Sequence, residues 1–159
     1  MFFEGCSCMM RVDVNQESCM TSTKPPSIQD QSKMKLLIVD DMPQVRQDLR
    51  QLLELTGLFE IVAEAGDGLE AVHQAEKFSP DAIVMDLEMP GVDGYEALHL
   101  IKTQNPTIRV IIFSTYADPE EKKRSLLAGA DDFVMKGDRY EILVNAILGK
   151  NFSPNSFNP

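Results

Sequence analysis

The sequence predicts a doubly wound α/β domain built on a parallel five-stranded sheet, and three observations carry that prediction. Four short apolar runs, Leu36-Leu37-Ile38-Val39, Ala82-Ile83-Val84-Met85, Val110-Ile111-Ile112-Phe113 and Phe133-Val134-Met135, are continuous rather than alternating, as strands buried on both faces of a parallel sheet require. Helical patterns separate them, long enough to return the chain for a parallel pairing. Polar residues stand directly after the runs: Asp40-Asp41, Asp86, Ser114 and Lys136. Because the carboxyl ends of such strands open into the crevice where doubly wound folds hold ligands, three carboxylates and one ammonium are gathered at one sheet edge.

The elements follow in order. Met34 sits at the start of the first strand. Pro43 suits the first turn of a helix, and Val45, Leu49, Leu52 and Leu53 recur at helical spacing until Thr56-Gly57 stops it. Glu60 to Ala65 alternates weakly and reads as the second strand. Asp67-Gly68 turns the chain into a helix over Leu69 to Lys77, ended by Ser79-Pro80. The third strand begins at Asp81. A loop with Met89-Pro90-Gly91 and Asp93-Gly94 leads to a helix with Leu98 and Ile101 on one face, ended by Asn105-Pro106. Arg109 to Ser114 is the fourth strand. Asp118 as cap, Pro119 as first helical residue and the acids Glu120-Glu121 start the fourth helix, and Gly129 closes it. Asp132 to Met135 is the fifth strand, and Tyr140 to Leu148, with Ile142, Leu143, Ala146 and Ile147, is a last helix capped by Gly149. Right-handed crossovers in such a (βα)5 chain place helices on both faces and make the carboxyl ends of strands one and three neighbours.

A chain of 159 residues suffices for one domain with a real core, not for two full ones. Its net charge of −10 and pI near 4.6 argue against nucleic-acid binding, which draws its affinity from Lys and Arg. No apolar stretch approaches the roughly 20 residues of a membrane span, and Met1 to Met20 lacks a basic start followed by a hydrophobic segment. A cytoplasmic protein without membrane contact is expected. Cys6, Cys8 and Cys19 all precede the first strand; an odd number there is a poor disulfide framework, and Cys-x-Cys offers too few ligands for a four-coordinate metal. Residues 1–33 show no sustained periodicity, and Thr21 to Ser32 is polar with Pro25-Pro26, so a disordered leader is expected before a domain at 34–149 and a short polar tail at 150–159. Met34 is then a candidate translation start, which N-terminal sequencing of native protein beginning at Met1 would refute.

Two unit charges about 4 Å apart repel by roughly 4 kcal/mol at an effective dielectric of 20, so three carboxylates in one crevice are costly when bare. A divalent cation removes most of that cost, and oxygen-only ligands with room for water and phosphate suit Mg2+. One carboxylate can then act as nucleophile toward a phosphoryl group while a lysine and a hydroxyl bind its oxygens. Asp86, Lys136 and Ser114 fit those three roles.

Four segments together resemble the receiver domain of bacterial two-component response regulators: Val39-Asp40-Asp41, Met85 to Gly94 with its Asp86-Leu87-Glu88-Met89-Pro90-Gly91, Ile112-Phe113-Ser114, and Ala128 to Lys136. The resemblance covers about residues 34 to 148. It implies a flavodoxin-like three-layer sandwich with strand order 2-1-3-4-5. It also implies that Asp86 is the phosphoacceptor, served by a sensor histidine kinase or a phosphotransfer protein. Asp41 and Asp86 would bind Mg2+ directly, Asp40 through water, and Glu88 through its backbone carbonyl. Lys136 would pair with the phosphoryl oxygens. Ser114 and Phe133 would form the switch that reports phosphorylation to the face of helix four, strand five and helix five, and so to an output partner. Such a domain is no enzyme toward a separate substrate; it promotes its own phosphorylation and dephosphorylation. A homodimer through the same face is a further option, although Lys122, Lys123 and Arg124 are equally explained as a solvated helix face.

The stretch from Phe113 to Lys136 is most similar to receivers that precede a LuxR-type DNA-binding domain, which makes this chain either a stand-alone receiver or one parted from such a half. Two departures from the family pattern, and the residues at two variable positions, carry expectations. Gly137 stands where many receivers have a cis-proline, so a trans bond and a different loop are expected after Lys136. Thr115 replaces alanine or glycine, and Tyr116 and Glu88 fill variable positions, which together predict slow self-dephosphorylation; a phosphoryl half-life of seconds would refute it. Other readings compete. Asp40-Asp41 could merely cap the first helix, Ser114 could satisfy a local backbone group, and Phe133 packs in the core under any reading. A receiver-like module acting without phosphorylation tends to lose one of Asp40, Asp41, Asp86, Ser114 or Lys136, yet all are present. An aspartyl phosphatase generally has Asp where this chain has Glu88, and a Rossmann site needs a glycine-rich turn that Asp40-Asp41-Met42-Pro43 does not supply. His73 and His99 are expected to face solvent.

Overall fold

The computed structural model describes residues 33–91, 93–116 and 118–149. Residues 1–32 of the expected leader, with Cys6, Cys8 and Cys19, and the tail at 150–159, lie outside the described residues. Strands and helices alternate as β1 Met34–Val39, α1 Pro43–Leu55, β2 Phe59–Ala65, α2 Gly68–Phe78, β3 Ala82–Met85, α3 Gly94–Gln104, β4 Arg109–Ser114, α4 Pro119–Leu127, β5 Asp132–Met135 and α5 Tyr140–Leu148. Every pairing is parallel, in the order β2-β1-β3-β4-β5. The doubly wound reading therefore holds.

Continuous apolar runs are explained by two cores, one on each face. Leu37, Val39, Ile83, Met85, Val110 and Ile112 pack with Ala71 and Ala75 of α2 and with Ala97, Leu98 and Ile101 of α3. Their neighbours Leu36, Ile38, Ala82, Val84, Ile111 and Val134 pack on the other side with Leu49 and Leu53 of α1 and Leu143, Ala146 and Ile147 of α5. Successive side chains of a strand point to opposite faces, so the covered stretch of such a strand is apolar at consecutive positions, as at Val110, Ile111 and Ile112. Among the described residues, no helix is long and apolar enough to cross a membrane.

Most boundaries agree with the sequence reading, and the exceptions have local causes. The third strand starts at Ala82, and Asp81 just before it ties into both flanking strands: its carboxylate accepts the Lys35 N–H at 2.7 Å, its N–H donates to the Lys35 carbonyl at 2.9 Å, and its carbonyl accepts the Arg109 N–H at 3.0 Å. Helix α2 begins at Gly68, with Asp67 as cap accepting the Glu70 N–H. Ala128, not Gly129, is the cap residue of α4; Gly129 follows it at φ +110, a conformation glycine adopts without strain.

Strand β2 holds the main surprise. Its register against β1 shifts between Leu36, opposite Ile61, and Leu37, opposite Ala63. Val62 is thus the extra residue of a bulge, which turns the rest of the strand over. Ile61 faces the α1 side while Ala63 and Ala65, at the same parity, face the other core. The weak alternation of Glu60 to Ala65 follows from this change of phase.

Candidate acidic site

Strand ends bring the polar residues together as expected. Asp40 leaves β1 and Asp86 leaves β3, and pairing of Val39 with Met85 makes them neighbours. Both carboxylates are buried, at 1% and 5% exposure, whereas Asp41 is exposed. One oxygen from each of Asp40, Asp41 and Asp86 lies within 4.8 Å of the others.

Each buried aspartate is held through several atoms. Asp40 donates its N–H to the Ala65 carbonyl at 3.1 Å, its Oδ1 accepts the Met42 N–H at 2.9 Å, and its carbonyl accepts from Arg46 Nη1 at 2.6 Å. Asp86 donates its N–H to the Val39 carbonyl at 2.9 Å, and its Oδ1 accepts the Glu88 N–H at 3.1 Å. The remaining oxygens, Asp40 Oδ2 and Asp86 Oδ2, both accept from Lys136 Nζ at 2.6 Å. Lys136 itself is set by the end of β5, its N–H donating to the Ser114 carbonyl at 2.6 Å. Burial lowers the pKa of its ammonium, but hydrogen bonds and charge from Asp40 and Asp86 outweigh burial and leave it above its ordinary value.

The helix-cap explanation for Asp40-Asp41 fails. Met42 is the cap residue of α1 and makes no side-chain cap bond, and Asp40 Oδ1 is spent on the Met42 amide. Ser114 is fully buried, and its hydroxyl oxygen accepts the Tyr116 N–H at 3.3 Å, so its local backbone role is present here. Phe133, 7% exposed, belongs to the core and borders a cavity of about 230 Å³ shared with Asp118, Pro119, Lys122, Met135 and Asp138. Glu88 is placed beside Asp86 by its amide. Among the described residues every peptide bond is trans, the Lys136–Gly137 bond included, and Gly137 lies at φ +118. Thr115 and Tyr116 are exposed, and so are His73 and His99.

Sequence reading missed Arg46 and its partner Glu64, which only the β2 bulge brings onto the α1 side. It also missed an open groove of about 890 Å³ next to the site, lined by Glu88, Tyr95, Tyr116, Glu121, Arg124 and Leu127 among others. There the Arg124 guanidinium lies over the Tyr95 ring, 4.2 Å from its centre. Burial raises the pKa of the Glu121 carboxyl, and the nearby charges of Glu88, Asp118 and Asp86 raise it further against a smaller opposing pull from Arg124.

The profile of the response regulator receiver domain matches residues 36–148. This chain belongs to that family. As a receiver domain it is 40% identical over 114 residues to the nitrate/nitrite response regulator protein NarP of Escherichia coli (strain K12), covering 71% of this chain and 53% of that protein. It thus spans about half the length of that relative. Among solved structures it is similar to a LuxR-family DNA-binding response regulator from Staphylococcus aureus, with 34% identity and a TM-score of 0.68 over 73% of this chain and 97% of that one. Likewise, the CheX–CheY–BeF3–Mg2+ complex from Borrelia burgdorferi matches with 28% identity and a TM-score of 0.68 over 73% of this receiver and 87% of that chain.

The donor set fits a hard divalent cation. It consists of carboxylates alone, Asp41 is exposed, and Asp40 and Asp86 already share one positive charge at hydrogen-bond distance. Oxygen ligands with open positions for water are what Mg2+ requires.

Proposed function

We propose that this receiver accepts a phosphoryl group on Asp86 in a Mg2+-dependent reaction and passes the change to an output partner. The observation that carries this reading is Lys136 Nζ at 2.6 Å from both Asp40 and Asp86, on an edge where Asp41 adds a third carboxylate. Mg2+ bound by Asp41, Asp86 and the Glu88 carbonyl, with Asp40 acting through water, would neutralise the incoming phosphoryl oxygens. Asp86 supplies the nucleophilic oxygen, and its Glu88 amide bond fixes the orientation of the carboxylate. Lys136 can follow the charge: as an oxygen of Asp86 forms the new P–O bond and the donor histidine leaves with cleavage of its P–N bond, the ammonium can exchange that partner for a phosphoryl oxygen. Ser114 stands at the end of the adjoining strand, from which its hydroxyl can leave the Tyr116 amide for the same group.

The donor would be a histidine kinase or phosphotransfer protein, and a change at Ser114 and Phe133 would reach the face of α4, β5 and α5. The Mg2+ and BeF3 named for the Borrelia complex support this reading, since BeF3 mimics a phosphoryl group. No separate substrate is turned over; phosphorylation and its reversal occur on the domain itself.

Intact mass after incubation with acetyl phosphate and Mg2+ tests the proposal. The parent is expected to gain about 80 Da, one phosphoryl group, and Asp86→Asn to gain nothing. A parent that binds Mg2+ yet gains no mass would turn the reading toward a module that works without phosphorylation.

A further inference from the structure

We propose that Arg46 is a positioning residue for the acidic site, holding Asp40 through its main chain, with Glu64 and the β2 bulge as its support. The inference rests on the metal-dependent reading of that site. Arg46 lies on α1, and its Nη1 donates to the Asp40 carbonyl at 2.6 Å. That carbonyl comes after the last residue of β1 and the last β1–β3 pair, Val39 with Met85. Arg46 therefore takes over where the sheet stops.

The guanidinium is itself held. Its Nε meets Glu64 Oε2 at 3.4 Å, and Arg50, one turn further along α1, donates to the other oxygen of Glu64 at 2.6 Å. A planar fork that grips a carbonyl on one side and a carboxylate on the other suits arginine and not lysine. Glu64 faces α1 only because Val62 is bulged out. In a regular strand with Val62 in the ladder, Glu64 would share the parity of Val62 and point to the α2 side. Bulges near functional sites commonly re-aim one side chain in this way, and here the side chain re-aimed is the one that anchors Arg46.

An ordinary helix-to-strand ion pair would join α1 to β2 and end there. This one continues to a residue whose four hydrogen-bonding atoms are all engaged: Asp40 N–H with Ala65, carbonyl with Arg46, Oδ1 with Met42 and Oδ2 with Lys136. Releasing the carbonyl frees the peptide that carries the buried carboxylate, and groups that orient metal-site residues from behind typically change metal affinity 10- to 100-fold.

The test compares the parent with Arg46→Gln, Arg46→Lys and Glu64→Gln. Mg2+ affinity is measured by calorimetry, amide exchange at Met42 by NMR in metal-free protein, and global stability by urea. Arg46→Gln is expected to weaken Mg2+ binding about tenfold or more and to speed Met42 exchange by a similar factor, while reaching the parent's phosphorylation level at saturating Mg2+. Arg46→Lys and Glu64→Gln, which each keep one half of the fork, should fall between. The proposal is overturned if the variants lose urea stability but keep the parent's Mg2+ affinity and Met42 exchange. Should the parent bind no Mg2+, the metal-dependent reading fails separately, and Met42 exchange alone decides whether Arg46 positions Asp40.

Discussion

Lys136 neutralises two buried carboxylates at once, and removing it exposes what that arrangement costs. In Lys136→Met, Asp40 and Asp86 are left without a counter-ion at 1% and 5% exposure. Breaking a buried pair in this way destabilises by about 3–5 kcal/mol, and that loss is expected in urea titrations without metal and smaller when Mg2+ is added. The pH dependence has a definite sign. The folded pKa of Lys136 stands above the ordinary 10.5, so its contribution is complete below pH 10.5 and disappears as pH rises through the folded value. The gap between parent and Lys136→Met should therefore close on the alkaline side. Glu121 runs through a lower window. Burial and the acids around it raise its pKa above 4.5, so the fold favours its protonated form and is weakened as pH rises through the raised value. Glu121→Gln should be more stable than the parent at neutral pH and equal to it below pH 4.5, measured by thermal melting. Asp40, Asp41, Asp86, Ser114 and Lys136 were all legible in the sequence because each follows an apolar run, and a strand end leaves its next side chain at the sheet edge. Arg46 and Glu64 were not, since their meeting depends on a register shift whose trace in the sequence, the weak alternation of Glu60 to Ala65, does not say which residue is bulged.

At the scale of elements, chain punctuation told most of the story. Pro43 and Pro119 open helices, Asp67, Asp93 and Asp118 accept the amides of their first turns, and Gly149 closes α5 in the left-handed region. The Asp93-Gly94 pair, legible as turn chemistry, has a second constraint that only packing reveals. A Cβ on Gly94 would come within 2.7 Å of Leu87 Cα and 3.0 Å of its carbonyl oxygen. Helix α3 therefore starts directly against the residue that follows Asp86, and only glycine permits that approach. Gly94→Ala is expected to cost roughly 1–3 kcal/mol from overpacking, read from the urea midpoint. It should also lower the phosphorylation yield by shifting the loop that bears Glu88. A variant with the parent's midpoint and yield would show that the loop yields freely.

The whole molecule carries a net charge of −10 with its acidic site at one sheet edge, so salt and specific binding act on it differently. Added NaCl screens general repulsion, whereas Mg2+ held at the proposed site would also stabilise by binding the folded state. At equal ionic strength Mg2+ is expected to raise the melting temperature of the parent further than NaCl does, and to lose that advantage in Asp41→Asn. The ion pairs at the site also span the chain, Lys136 lying 96 positions from Asp40 and 50 from Asp86 in sequence. Contacts of such separation form late, after loop closure has been met by other interactions. During synthesis, which proceeds from the N-terminal side, β1 and β3 present all three aspartates before the ammonium that offsets them exists. Until β5 docks, the three carboxylates would repel one another without the offsetting charge of Lys136. The proposed chemistry would thus become possible only with the last strand in place, and a chain still being folded would have no finished site to carry it out.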